Sequence, residues 1–109
     1  MSNTDKLTEA LVQSRNERDW EQFHNPKDLA IALSLEAGEL LENFLWKQPQ
    51  EADIEKIKEE LADVFAYALL IAKHFNLNVD DIVLDKIAKN AIKYPADKAK
   101  GSAKKYTEL

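Results

Sequence analysis

Two pairs of carboxylates carry the chemistry available to this chain. Glu36 and Glu39, and then Glu60 and Asp63, stand three residues apart, in or directly before its two most apolar stretches, LAIALSLEAGELLENFLW and LADVFAYALLIAKHF. Residues i and i+3 share one face of a helix, so each pair makes a two-pronged acidic clamp aimed at a hydrophobic core. An unpartnered carboxylate is costly to desolvate, and two clamps facing each other repel unless something positive lies between them. Lysine could supply that charge, yet neither stretch offers one before Lys47 or Lys73. A divalent metal ion is the expected occupant.

Acids at this spacing also decorate solvated helix faces, and Glu51, Glu55 and Glu59 are read that way. Glu36 differs because Ala32, Leu33 and Leu40 lie one turn away and Gly38 removes a side chain beside it. Asp63 is flanked by Leu61, Ala62, Val64 and Phe65, with Tyr67 and Leu70 on later turns of its own face. An all-oxygen ligand set suits a hard cation, which points to Mg2+, with Mn2+ able to substitute. A di-iron bundle would want Glu-x-x-His from two helices, whereas Glu21 and His24 supply that spacing once. Zinc has only His24 and His74 and no cysteine to draw on.

Composition narrows the setting. The chain has 109 residues, which bounds it to one domain with a modest core. It has no cysteine, a net charge of -5 and a polar, acidic start, MSNTDKLTEA, with no basic and then apolar leader. No apolar run approaches the ~18 residues of a membrane span. These features predict a soluble cytoplasmic protein with no membrane partner. The acidic balance argues against polymeric nucleic acid as a partner, since phosphate binding needs a basic face. Lysines nevertheless crowd the end, at 86, 89, 93, 98, 100, 104 and 105. An acidic middle could therefore hold a metal while a basic last helix meets an anion.

The elements that must position these residues read as helices. Two glycines, three prolines and long runs at helical period predict an all-α fold with no strand and no internal repeat. A first helix is expected over about 4–22 with Thr4 as N-cap and Leu7, Leu11 and Val12 on one stripe. Asn25 then caps a second helix opened by Pro26, running to Trp46 or Lys47 before Pro49 stops it. A third helix should start near Ala52 or Asp53 and reach Phe75. A fourth, from about Asp80 with Ile82, Val83, Ile87 and Ala88 inward, should stop short of Pro95. Residues 1–95 form the expected domain, and 96–109 a basic, mobile or partner-dependent tail. The second and third helices are too apolar around their circumference for a lone four-helix bundle, which predicts a homodimer or a dimer of dimers.

The order Glu36-Ala-Gly-Glu39, about twenty residues, then Glu60-Leu-Ala-Asp63 resembles the E-x-x-E…E-x-x-D motif of the MazG-like nucleoside triphosphate pyrophosphohydrolases. That all-α superfamily also contains dimeric dUTPases and phosphoribosyl-ATP pyrophosphohydrolase. Arg18-Asp19-Trp20-Glu21-Gln22-Phe23-His24, then Trp46-Lys47, and Lys89-Asn90-x-x-Lys93-Tyr94-Pro95 extend the likeness to its small dCTP-pyrophosphatase branch. Together these segments cover most of 18–95, and the ligand positions show no departure.

The resemblance implies cleavage between the α and β phosphates of a nucleoside triphosphate, favouring dCTP or another pyrimidine or modified deoxynucleotide, in nucleotide pool cleansing. It implies that Glu36, Glu39, Glu60 and Asp63 hold Mg2+ and that Glu36 or Glu39 takes a proton from water. Trp20, His24 and Trp46 would line a base site, Tyr67 would lie near the sugar, and Lys86, Asn90, Lys93 and Tyr94 would meet phosphate, sugar or base edges. Each has a plainer reading. Tryptophans at helix ends also anchor cores or interfaces, Tyr67 could be a core residue with a bonded hydroxyl, and Lys89 is read as solvated. His74 near a helix C-terminus complements the dipole. Two other classes stay open at this point: a non-catalytic dimeric helical module, and a carboxylate-bridged redox metalloprotein.

Overall fold

Residues 1–108 are described in a computed structural model, and every regular element among them is helical. Helix α1 spans Asn3–Glu17. Its cap is Ser2, two residues before the expected Thr4: the Ser2 hydroxyl accepts from the Asp5 N–H at 3.1 Å and the Asp5 carboxylate accepts from the Ser2 N–H at 3.2 Å. This reciprocal pair satisfies two N–H groups that a helix start leaves bare. The helix also ends sooner than expected, near Arg18 and not 22, because the chain reverses locally. The Arg15 carbonyl accepts from the N–H of both Arg18 and Trp20, at 3.2 and 3.0 Å, and Asp19 takes the left-handed conformation with φ 54°. A single 3-10 turn, Glu21–Phe23, follows.

Helix α2, Pro26–Glu42, opens as the sequence predicts, with the Asn25 side chain accepting from the Asp28 N–H at 2.9 Å and Pro26 at the first position. It stops about four residues before the expected end. Asn43 turns its side-chain amide onto the Glu39 carbonyl at 3.2 Å, competing with the helical ladder. The bonds from Phe44 to Leu41 and from Leu45 to Glu42 tighten to three-residue spacing. Trp46 then sits at φ 61°, outside the helix and wholly exposed. A turn at Pro49–Glu51 leads to α3, Ile54–His74, which Asp53 caps through the Glu55 N–H at 3.0 Å.

Contacts divide the chain into two units, Met1–Leu77 and Asn78–Leu109. In the first, α2 lies along α3 and α1 packs against α3. The buried apolar residues there are Leu29 of α2 and Leu69, Leu70 and Ala72 of α3. In the second, α4 spans Val79–Lys93 with Asn78 as its cap. Beyond Pro95, where a separate tail is expected, the chain forms the short helix α5, Ala96–Ala99, and a turn at Tyr106–Glu108. Tyr106 meets the Tyr94 ring edge-on, with centroids 6.1 Å apart, and the Lys93 ammonium lies 5.1 Å from the Tyr106 centroid.

One expectation fails outright. Ile82, Val83 and Ile87, expected to point inward, are exposed, and no residue of α4 is buried. Large apolar side chains are also bare on α2 (Ile31, Leu35, Leu41) and α3 (Leu61, Phe65). Among the described residues no helix is long and apolar enough to cross a membrane.

Candidate metal centre and adjoining cavity

The pairing of α2 with α3 brings the two acidic clamps together. Glu36, Glu60 and Asp63 each offer a carboxylate oxygen, and these three atoms lie within 4.8 Å of one another. The Oε2 atoms of Glu36 and Glu60 are buried and have no hydrogen-bond partner. Among the described residues, the ion pairs join Arg15 to Glu21, Arg18 to Glu17 and Lys58 to Glu55, and none reaches this cluster. Orphaned carboxylate oxygens facing one another are what a hard divalent cation would satisfy, so the residues present fit such an ion. Glu39 is more exposed and lies outside the tight trio, yet it acts on both glutamates.

The electrostatics follow from that crowding. Glu36 is pushed up to about 7, first by desolvation, then by hydrogen bonding with and repulsion from Glu39, with Asp63 and Glu60 adding to it. Glu60 is raised by desolvation and by Glu39, while its hydrogen bond to Glu36 works the other way. Gly38, which the sequence sets beside Glu36, has open space around it: a Cβ there would meet nothing within 4 Å.

Asp63 also borders a cavity of about 170 Å³ whose wall carries Trp20, His24 and Tyr67. The early end of α1 explains how Trp20 and His24 arrive there, since the reversal at Asp19 folds them back onto the last turn of that helix. His24 has a buried Nδ1 with no partner, and its pKa is lowered by burial and by the charge of Arg15. Both effects favour the neutral ring. On another side, Glu39 and Glu60 border an open polar cleft of about 520 Å³ together with Lys47 and Lys56. The carboxylate cluster thus has an aromatic cavity at one flank and a lysine-bearing cleft at another.

Trp46 is not among the residues of the aromatic cavity and stands fully exposed. Lys86, Asn90, Lys93 and Tyr94 lie in the second unit, where helical spacing places them along one side of α4. Sequence reasoning missed Arg15 and Lys56. The first could have been found from its spacing, because it follows Leu11 by one turn on the stripe that α1 turns inward.

Residues 31–109 match the MazG-like family. The chain belongs to that family. Human dCTP pyrophosphatase 1 is 42% identical over 101 residues, which cover 85% of this chain and 59% of the human protein. The mouse dCTP pyrophosphatase 1 is 40% identical over 101 residues, with 85% and 59% covered. The MazG-like chain therefore spans less than two thirds of the length of these curated relatives. A pyrophosphatase from Archaeoglobus fulgidus superimposes with a TM-score of 0.78 at 33% identity, covering 87% of this chain and 94% of that one. The family match runs through the C-terminal segment as well as the helices that carry the acids.

A pH dependence follows for the MazG-like fold without metal. Glu36 holds its proton more tightly when folded than when unfolded, so its contribution is complete below the unfolded pKa near 4.5 and is lost as pH rises through about 7. The metal-free protein should melt at a lower temperature at pH 8 than at pH 5.5. Glu36→Gln should remove much of that drop and also remove the stabilisation that millimolar Mn2+ gives at pH 8. Differential scanning fluorimetry at the two pH values checks both. A variant that still gains stability from Mn2+ as the parent does would take Glu36 out of the ligand set.

Proposed function

We propose that this chain hydrolyses nucleoside triphosphates to the monophosphate and pyrophosphate with Mg2+ held by Glu36, Glu39, Glu60 and Asp63. The observation that supports this most strongly is the carboxylate cluster, with a buried, unpartnered oxygen on each of Glu36 and Glu60, beside an aromatic cavity. Pyrophosphatases among the relatives and the structural neighbour agree with it.

The cavity and the cleft give the substrate a direction. A base enters the aromatic cavity, where Trp20 stacks against it and His24 faces its edge, and Tyr67 meets the sugar. Stacking on an aromatic face contributes about 1 to 3 kcal/mol per base. The phosphates then lie over the acids and extend toward Lys47 and Lys56, which neutralise the leaving pyrophosphate. A divalent cation supplies charge neutralisation at the phosphates and makes water more acidic. Water adds at phosphorus, the bridging bond between the α and β phosphates breaks, and Glu36 or Glu39 takes the proton. Lys86, Asn90, Lys93 and Tyr94 are proposed to complete the phosphate and sugar contacts, and Trp46 to cover the base, as the family resemblance implies. The preferred substrate is dCTP or another pyrimidine or modified deoxynucleotide, and the role is cleansing of the nucleotide pool.

Self-association belongs to the same proposal. Ile31, Leu35 and Leu41 on α2 and Leu61 and Phe65 on α3 present a larger apolar surface than a monomer keeps bare. A second copy covers it, giving a homodimer or a pair of dimers, and Mn2+ can replace Mg2+.

Two measurements test this function. Incubation of the chain with dCTP and Mg2+ should give dCMP and pyrophosphate as initial products, with activity abolished by EDTA and restored by Mg2+ or Mn2+. Release of orthophosphate with dCDP would exclude α–β cleavage. Light scattering at micromolar concentration should give at least twice the 12.4 kDa chain mass, and a monomer mass would refute the shared interface.

A further inference from the structure

Arg15 has a side chain only 14% exposed, and it lines the same cavity as Trp20, His24 and Tyr67. Its charge is poorly satisfied there. The Glu21 carboxylate stands 3.8 Å from Nη2, is itself 70% exposed, and so is too distant and too hydrated to hold the guanidinium. The one hydrogen bond the side chain makes among the described residues runs from Nε to the adjacent Asn16 Oδ1 at a long 3.3 Å. Both Nη groups are left with donors to spare. The backbone of Arg15 is meanwhile tied to Trp20, whose N–H donates to the Arg15 carbonyl at 3.0 Å, so guanidinium and indole are placed by one turn of chain.

We infer that Arg15 is a specificity-determining residue that reads the ring edge of the base, selecting cytosine among the pyrimidines. This rests on the pocket assignment proposed above. A guanidinium is a planar fork of donors that accepts nothing and never loses its proton, so it matches two acceptors set side by side. Cytosine presents O2 and an unprotonated ring N3 on adjacent atoms. Uracil and thymine carry a proton on N3, which turns a donor toward one of the two Arg15 donors and leaves only O2 to pair with the other. A site built to hydrogen-bond an edge rejects an analogue that cannot answer it. Next to the fork, a neutral His24 adds no second positive charge.

The competing role for Arg15 is structural, as a cation in the last turn of α1 that complements the helix dipole. The two roles separate in kinetics. Values of kcat/KM for dCTP and dTTP should be measured with Mg2+ in the parent chain, Arg15→Ala and Arg15→Lys, alongside melting temperatures. A reading role predicts that the parent prefers dCTP by roughly tenfold or more, and that Arg15→Ala loses most of that ratio through the KM of dCTP. Arg15→Lys should lose it too, since an ammonium keeps the charge without the fork. A structural role would lower melting temperature and depress both substrates together. The inference is overturned by a parent without preference, by a ratio that survives Arg15→Ala, or by one that Arg15→Lys fully retains. Should Arg15→Ala fail to fold, Arg15→Lys and Arg15→Gln decide by the same ratio. If the parent hydrolyses no nucleotide at all, the pocket assignment itself fails and Arg15 falls with it, whereas hydrolysis with an unmoved ratio condemns Arg15 alone.

Discussion

Mutual repulsion among carboxylates that water cannot fully screen governs the rest of this structure. Four acids from two helices converge, two of them with buried oxygens that nothing satisfies. Packing of α2 along α3 brings the acids together, and burial strips water from Glu36 and Glu60. The fold therefore supplies a stress that a bound cation would relieve. Functional sites commonly carry such destabilisation, and the helices around them bear the cost.

The surroundings of the cluster gain meaning from that centre. An early reversal after α1 delivers Trp20 and His24 to a cavity bordered by Asp63, while Glu39 and Glu60 open onto a cleft with Lys47 and Lys56. Aromatic groups with Arg15 thus stand on one flank of the acids, and Lys47 and Lys56 among further glutamates on another. Ile31, Leu35 and Leu41 of α2 and Leu61 and Phe65 of α3 stay bare on the protomer, where the proposed second copy would rest.

Helix identities were legible in the sequence because caps and breakers are local. Asn25 with Pro26, Asp53 and Pro95 act within one turn of themselves, and the ends they set agree with the structure. The ends of α1 and α2 were not legible to the same degree. Each depends on a left-handed residue, Asp19 or Trp46, and on backbone bonds that composition does not announce. The i, i+3 spacing gave the clamps, since helical period alone puts Glu36 with Glu39 and Glu60 with Asp63. Helical spacing also sets Arg15 one turn after Leu11 and Lys56 one turn before Glu60, but it does not say that a cavity and a cleft open beside them. The inward face assigned to α4 was wrong in the protomer for a related reason: apolar period says that a stripe exists and leaves open which surface covers it.

The claim that a divalent cation belongs between these acids is tested most directly by calorimetric titration of the metal-free protein with Mn2+ in buffers of different ionisation enthalpy. At pH 6.5, where Glu36 is still largely protonated in the fold, binding should release protons and the observed heat should change with the buffer. Near pH 8.5 that buffer dependence should fade while binding persists. Absence of Mn2+ binding at millimolar concentration, or binding whose heat ignores the buffer at both pH values, would contradict the account.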